Sequence, residues 1–216
     1  MKEGDILWAL GIAVIAAILM VPASHAVFVA FTTQHPYMAG FVKFFILATM
    51  GELLAIRIVT SHWTVPKGWI YRSLIWGILG MAIVLTFGVF SGGVAAATAQ
   101  GLLPGKGSKF LGAFFTSAIM NLSFGPSMMT FHRFTDTFID MKYEGEKDIS
   151  IGRIVKRIDW NGFYSFVVLK TIPFFWIPAH TAVFLLPPEY RVIAAAFLSV
   201  ALGGILAFAK KKPHNN

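Results

Sequence analysis

Several ionisable side chains of this chain lie inside long apolar stretches. Glu52 lies within FILATMGELLAIRIVT and Lys170 within FYSFVVLKTIPFFWIPAH, while His132, Arg133 and Asp136 share a third stretch. A charged side chain at the centre of a bilayer costs about 2.5–3.5 kcal/mol on insertion scales, so those that are retained face a bundle interior or a water-filled cavity. The chemistry these residues predict is the passage or pairing of charged groups inside a membrane.

The composition is that of an integral membrane protein. Mean hydropathy is +0.70, and 13% of the residues are charged, well below the roughly 25% of soluble domains. The chain has no cysteine, which excludes disulfides and thiolate chemistry. Its net charge of +8 comes from basic residues placed mostly between apolar stretches and at the C-terminus. That placement favours anionic lipid headgroups over nucleic acid as the partner.

Hydropathy predicts an all-α, polytopic membrane bundle in one domain, residues 1–216. About six transmembrane helices are expected, over residues 6–31, 38–60, 71–100, 110–140, 160–185 and 189–210. Small residues at four-residue spacing indicate close helix packing in three of them. These repeats are Ala9, Ala13 and Ala17 in the first helix, Gly88 and Gly92 in the third, and Ala195, Ser199, Gly203 and Ala207 in the sixth.

Prolines within three of the apolar stretches predict bends, because proline lacks the helix N–H and crowds the preceding turn. We expect a bend at Pro22, an interruption of the fourth helix at Gly125 and Pro126, and kinks at Pro173 and Pro178.

The distribution of Lys and Arg predicts the orientation. With six spans, both termini share a side with the loops 61–72 and 141–159, and that side carries most of the basic residues. They are Lys2, Lys67, Arg72, Lys142, Lys147, Arg153, Lys156, Arg157 and Lys210 to Lys212, against Lys43, Lys106, Lys109 and Arg191 opposite. Both termini are therefore expected in the cytoplasm, in a prokaryotic cytoplasmic membrane.

Matching depth in the membrane predicts an ion pair between Glu52 and Lys170. At 1.5 Å per residue, Glu52 lies about 12 Å and Lys170 about 15 Å from the cytoplasmic ends of their helices. We expect the two side chains to face the bundle interior and to pair directly or through a water.

The fourth helix carries two further candidate sites. His132 and Asp136 are four residues apart and Arg133 and Asp136 three apart, so they share one face. They can line a cytoplasmic vestibule that selects charged solutes, or form an interfacial ion network that anchors the helix end. Asn121 precedes the Gly125–Pro126 pair, where freed carbonyls can form a solute site or the proline can simply kink the helix.

Residues 149–158 are amphipathic. Arg153, Lys156 and Arg157 lie opposite a face of isoleucine and valine, which is typical of a short helix in the headgroup layer. We expect these three cations to contact anionic lipid.

Three motifs together resemble a known family. They are His35-Pro36-Tyr37 followed by Gly51-Glu52, Gly125-Pro126 followed by Arg133 and Asp136, and Trp176-Ile177-Pro178-Ala179 followed by Phe184, Pro187 and Tyr190-Arg191. In this order they resemble the Mpv-seventeen, or twenty-two-kilodalton peroxisomal membrane protein, family. Glu52 stands where that family usually has Asp, and Phe131-His132 where Trp-Tyr is common. The resemblance implies a small pore-forming or membrane-homeostasis protein.

Two main hypotheses follow for function. The first is a channel or carrier for a small solute or ion, with Glu52, Lys170, Arg133, Asp136, Asn121 and His132 along its path. The second is a non-transporting scaffold or lipid organiser whose charges hold helices together. An intramembrane lipid-modifying enzyme would need His132 and Asp136, but no HExxH, GxSxG or dinucleotide motif is present, so no enzyme is expected. We expect no cofactor and no metal, and a homo-oligomer is a candidate assembly.

Overall fold

The computed structural model describes the backbone of residues 3–211 and the side chains of residues 3–205. Over this range the chain is helical and contains no strand, which confirms the all-α fold. The helices are α1 (Glu3–Met20), α2 (Pro22–Gln34), α3 (Pro36–Thr60), α4 (Trp69–Ala99), α5 (Lys109–Tyr143), α6 (Ile151–Arg157), α7 (Trp160–Leu185) and α8 (Pro188–Lys211).

Five of these helices are long and apolar enough to cross a bilayer: α1, α3, α4, α7 and, over Pro188–Ile205, α8. The remaining long helix, α5, is less apolar but packs against α4 and α7. Its 35 residues span about 52 Å, more than the ~30 Å hydrocarbon core. The arrangement is that of a membrane helix bundle with one long polar member.

The helix ends fall into two groups. At the end that we call the N-terminal end, Arg57 Nε lies 2.8 Å from Asp5 Oδ1, and Trp63 Nε1 donates to the same oxygen. Arg72 at the start of α4 binds Asp140 near the end of α5. At the opposite end, the α4–α5 loop and the α7–α8 turn line one groove. The N-terminus therefore lies with the loops that the charge pattern grouped with it.

Glycines set the closest helix contacts. A Cβ on Gly40 of α3 would lie 2.8 Å from the carbonyl oxygen of Gly80 of α4, and a Cβ on Gly203 of α8 would lie 3.2 Å from that of Gly51. The close packing predicted for α8 is thus present at Gly203, whereas Ala207 lies outside the described side chains. The prediction for Gly88 and Gly92 was wrong, since a Cβ on either would meet nothing within 4 Å.

The bend at Pro22 is present, and it divides the predicted first helix into α1 and α2. The Ser24 hydroxyl donates to the Ile18 carbonyl, at 3.1 Å, which Pro22 cannot reach for lack of an N–H. The interruption predicted at Gly125 and Pro126 was wrong, because α5 runs unbroken through both residues. Proline removes one backbone hydrogen bond from the helix. A bundle tolerates this loss because neighbouring helices can satisfy the freed backbone group.

The prolines of α7 lie at a change of helix type. Residues Phe163–Trp176, which include Pro173, are π-helical, and the α-helical pattern resumes at Ile177–Leu185. Pro178 lies in the first turn of that α-helical segment, where its missing N–H costs little. Both prolines thus lie close to the point, at Ile177, where the helix changes from π to α geometry, and the kinks expected at them stay a prediction.

Candidate functional site

A polar cluster joins α3, α4 and α5 near the N-terminal end of the bundle. The Trp76 indole donates to Glu52 Oε1 at 2.8 Å, and His132 Nε2 lies 3.8 Å from the same oxygen. On its other side, His132 Nδ1 lies 3.6 Å from Asp136 Oδ2. The imidazole thus stands between two carboxylates that come from different helices.

Helical spacing places the partners in register. His132 and Asp136 lie one turn apart on α5, and Arg72 and Trp76 lie one turn apart on α4. The rings of Trp76 and His132 are in contact, with centroids 4.2 Å apart. Two adjacent turns of α4 therefore cover the polar face of α5.

Arg72 anchors this cluster. Its Nη1 lies 2.8 Å from Asp136 Oδ1 and its Nη2 donates to Asp140 Oδ1 at 2.5 Å. Arg72 Nε and His132 Nε2 are buried without a hydrogen-bond partner in the described part of the chain, and Asp136 Oδ1 has only its ion pair with Arg72. Buried polar atoms are normally satisfied, so the cluster has unused hydrogen-bonding capacity.

The cluster is only partly enclosed by protein. The side chains of Glu52, His132 and Asp136 retain 27%, 13% and 18% of their exposure. One donor atom from each of the three lies within 4.8 Å of the other two, so a cation can reach all three. These are the residues of the described chain that can hold a metal.

The predicted pairing of Glu52 with Lys170 was wrong. The Lys170 side chain is exposed, and it makes no hydrogen bond or ion pair with any described residue. Glu52 instead binds Trp76 and faces His132. Two side chains at equal depth in the membrane can point in different directions around the bundle. Here α7, which carries Lys170, packs on α5 rather than on α3.

Asn121 lies apart from the cluster, whereas Arg133 borders it closely enough for its charge to act on His132 and Asp136. The Arg133 side chain is exposed and forms no ion pair within the described residues. Asn121 is buried, where its amide donates to the Ser117 carbonyl at 2.9 Å and contacts His180 Nδ1 at 3.0 Å. The cavity beside Asn121 and His180 measures only about 40 Å³ and is lined mainly by apolar side chains. The helix beside this cavity is continuous, so the broken-helix solute site predicted here is not formed.

The cations of α6 are largely engaged by protein. Arg153 Nη2 lies 2.7 Å from Glu146, and Arg157 contacts Glu144 at 2.6 Å and Glu146 at 2.8 Å. The hydrogen bond to Glu144 raises the pKa of Arg157. Lys156 is exposed and unpaired within the described residues. Of the three predicted lipid contacts, Lys156 alone keeps its charge free for headgroups.

The sequence analysis did not predict the contacts of three polar side chains. Arg72 was counted only as a loop charge and Trp76 was not singled out, although each binds a carboxylate of the cluster. Lys43, assigned to a loop-facing position, is buried, with Nζ donating to Thr32 at 2.8 Å and lying 4.6 Å from the centroid of Phe28. The sequence shows only that each of these side chains carries a polar group within an apolar helix. That signal does not identify the residue it contacts.

A second concave feature lies at the opposite end. A groove of about 730 Å³ separates the α4–α5 loop from the α7–α8 turn, and Lys106, Lys109 and Arg191 line it together with Ser91. Its basic lining attracts anions, in contrast to the carboxylates of the polar cluster.

The chain matches no protein-family model, no curated protein and no solved structure. The family resemblance noted in the three sequence motifs therefore stays a prediction.

Proposed function

We propose that this integral membrane protein is a channel or carrier for a small solute, with Glu52, His132 and Asp136 on the path. The observation that carries the proposal is the partly exposed cluster of ionisable groups held between α3, α4 and α5 among apolar helices. Such groups are costly inside a membrane, and ion and substrate pathways are their usual setting.

The proposal includes a setting in the membrane. We place both termini in the cytoplasm of a prokaryotic cell, because the N-terminal end of the bundle carries the basic loops. The cluster then lies nearer the cytoplasmic face and the basic groove nearer the outer face. The resemblance to the Mpv-seventeen family supports a pore-forming or membrane-homeostasis role, and the site has no feature that calls for an enzyme.

A non-transporting scaffold is the second candidate, and the packed interior favours it. The cavity at Asn121 and His180 is about 40 Å³, which is room for a few water molecules at about 10–15 Å³ each by the same measure. A transport path must therefore open by helix movement, whereas a scaffold needs no such change.

Flux through proteoliposomes tests the proposal. Purified protein is reconstituted and assayed with a panel of ions and small metabolites, comparing wild type with Glu52→Gln and with the control Lys170→Gln. We expect flux that Glu52→Gln changes at least tenfold and that Lys170→Gln leaves unaltered, because only Glu52 contacts the cluster. Absence of flux for every solute, with helicity intact by circular dichroism, would support the scaffold.

A further inference from the structure

We infer that Glu52, His132 and Asp136 form a binding site for a divalent transition-metal ion. The donor set is one imidazole nitrogen and two carboxylate oxygens, which suits Zn²⁺ and its first-row neighbours. Two of the ligands come from successive turns of α5, and the third comes from α3, so the site bridges two helices.

The distances are close to those an ion requires. Metal–ligand bonds of about 2.0–2.2 Å place donor atoms up to about 4.4 Å apart around one ion. One donor atom from each of the three residues lies within 4.8 Å of the other two. The shorter approaches of His132 use opposite ring nitrogens, Nε2 to Glu52 at 3.8 Å and Nδ1 to Asp136 at 3.6 Å, so an ion on Nε2 requires the Asp136 carboxylate to turn towards it. Small side-chain rotations are therefore enough to complete the site.

Neighbouring donors orient the ligands. Trp76 binds Glu52 Oε1 and Arg72 contacts Asp136 Oδ1, so each carboxylate has a second oxygen that can turn towards an ion. Polar contacts to ligating carboxylates hold them in place in known metal sites. In the cluster α4 supplies both contacts, a hydrogen bond from Trp76 and an ion pair from Arg72, through residues one turn apart.

The local charge favours a divalent cation. Glu52, Asp136 and Asp140 bring three carboxylates to the cluster, and Arg72 is the one cation in direct contact with them in the described chain. With a neutral imidazole, these groups sum to two negative charges, of which the nearby exposed Arg133 offsets a part. A bound M²⁺ balances them, and it also provides a partner for His132 Nε2, which is buried without one in the described residues.

The inference rests on the proposed function in one respect, that these side chains can be reached from water. Metal binding itself requires no transport, so the two ideas can fail separately.

Binding is tested with Co²⁺, whose absorption spectrum reports its ligands. Untagged full-length protein in detergent micelles is titrated with Co²⁺ and then with Zn²⁺. We expect one Co²⁺ per chain, visible bands of a nitrogen–oxygen site, and displacement by Zn²⁺. The variant His132→Ala should weaken binding at least 100-fold, whereas the exposed His35→Ala should not alter it.

A milder variant keeps the test informative if His132→Ala does not fold. Trp76→Phe keeps the ring but removes the hydrogen bond to Glu52, and should weaken Co²⁺ binding about tenfold. Equal binding by wild type, His132→Ala and Trp76→Phe, or no binding by folded wild type, would overturn the inference.

Flux measurements on the same preparations separate the two proposals. Metal binding without flux of any solute upholds the metal site and removes the transport function, and flux without metal binding does the reverse. Proteoliposomes containing a zinc-responsive dye then distinguish cargo from resident ion. Zinc that enters the lumen is cargo, whereas zinc that stays bound during flux of another solute is resident, and either result upholds the site.

Discussion

Arg72 connects two turns of α5 to α4, because its guanidinium contacts both Asp136 and Asp140. Removing one partner of a buried ion pair costs about 3–5 kcal/mol, since the remaining charge is left unsatisfied. The cost should be smaller here, about 2–3 kcal/mol by the same reasoning, because Asp140 is half-exposed and can be solvated.

We therefore expect Arg72→Met to lower the free energy of unfolding by that amount, measured by denaturant titration in mixed micelles. Arg153→Met is the control, because it removes an exposed ion pair worth about 0–1 kcal/mol. Equal losses in the two variants would show that Arg72 is no more than a surface charge.

At the same scale, Glu52 and Lys170 should be energetically independent. A double-mutant cycle with Glu52→Gln and Lys170→Met should give a coupling energy below about 0.5 kcal/mol, as for residues without a shared contact. The cycle is measured from unfolding free energies in micelles. A coupling energy above about 1 kcal/mol would instead support the Glu52–Lys170 ion pair that was predicted from their equal depth.

At the scale of elements, glycine determines how closely α3 and α4 approach. A Cβ on Gly80 would clash with the Gly40 carbonyl, and backbone cannot move aside as a flexible side chain can. Overpacking of this kind costs about 1–3 kcal/mol. Gly88 lies on the same helix, and a Cβ there meets nothing within 4 Å.

Gly80→Ala should therefore destabilise the protein by about 1–3 kcal/mol. Gly88→Ala should be neutral or stabilising by up to about 1 kcal/mol, because it reduces the entropy of the unfolded chain. Thermal unfolding of the two variants in the same detergent gives the comparison. A loss of stability in Gly88→Ala matching that in Gly80→Ala would contradict the observed helix contact.

For the whole molecule, orientation is the property to test. The native chain has no cysteine, so single introduced thiols report their own accessibility. Asp148→Cys lies in the loop before α6, at an exposed position, and Lys106→Cys lies in the exposed α4–α5 loop.

In intact cells, a membrane-impermeant maleimide should label Lys106→Cys and should label Asp148→Cys only after permeabilisation. This result follows if the basic N-terminal end faces the cytoplasm. The opposite pattern would invert the topology and place the polar cluster nearer the outer face.

Hydropathy along the chain was enough to predict a helical membrane bundle and most helix boundaries. It is a local property, so 38–60 corresponds to Pro36–Thr60 and 160–185 to Trp160–Leu185. The sequence also identified His132 and Asp136 as one polar face, because four-residue spacing on a helix needs no tertiary information. The prediction of a break at Gly125 and Pro126 was wrong, because α5 stays continuous where it packs against its neighbours.

Which polar groups meet depends on how the helices pack against one another. Depth along the membrane can be counted from the sequence, but the rotation of each helix and its neighbours depend on side-chain packing between distant segments. Close contact through Gly40 and Gly80 sets α4 against α3, which brings Trp76 to Glu52. Packing of α4 on α5 brings Arg72 to Asp136. Lys170 has the depth of a partner for Glu52, yet its helix packs on another side of the bundle.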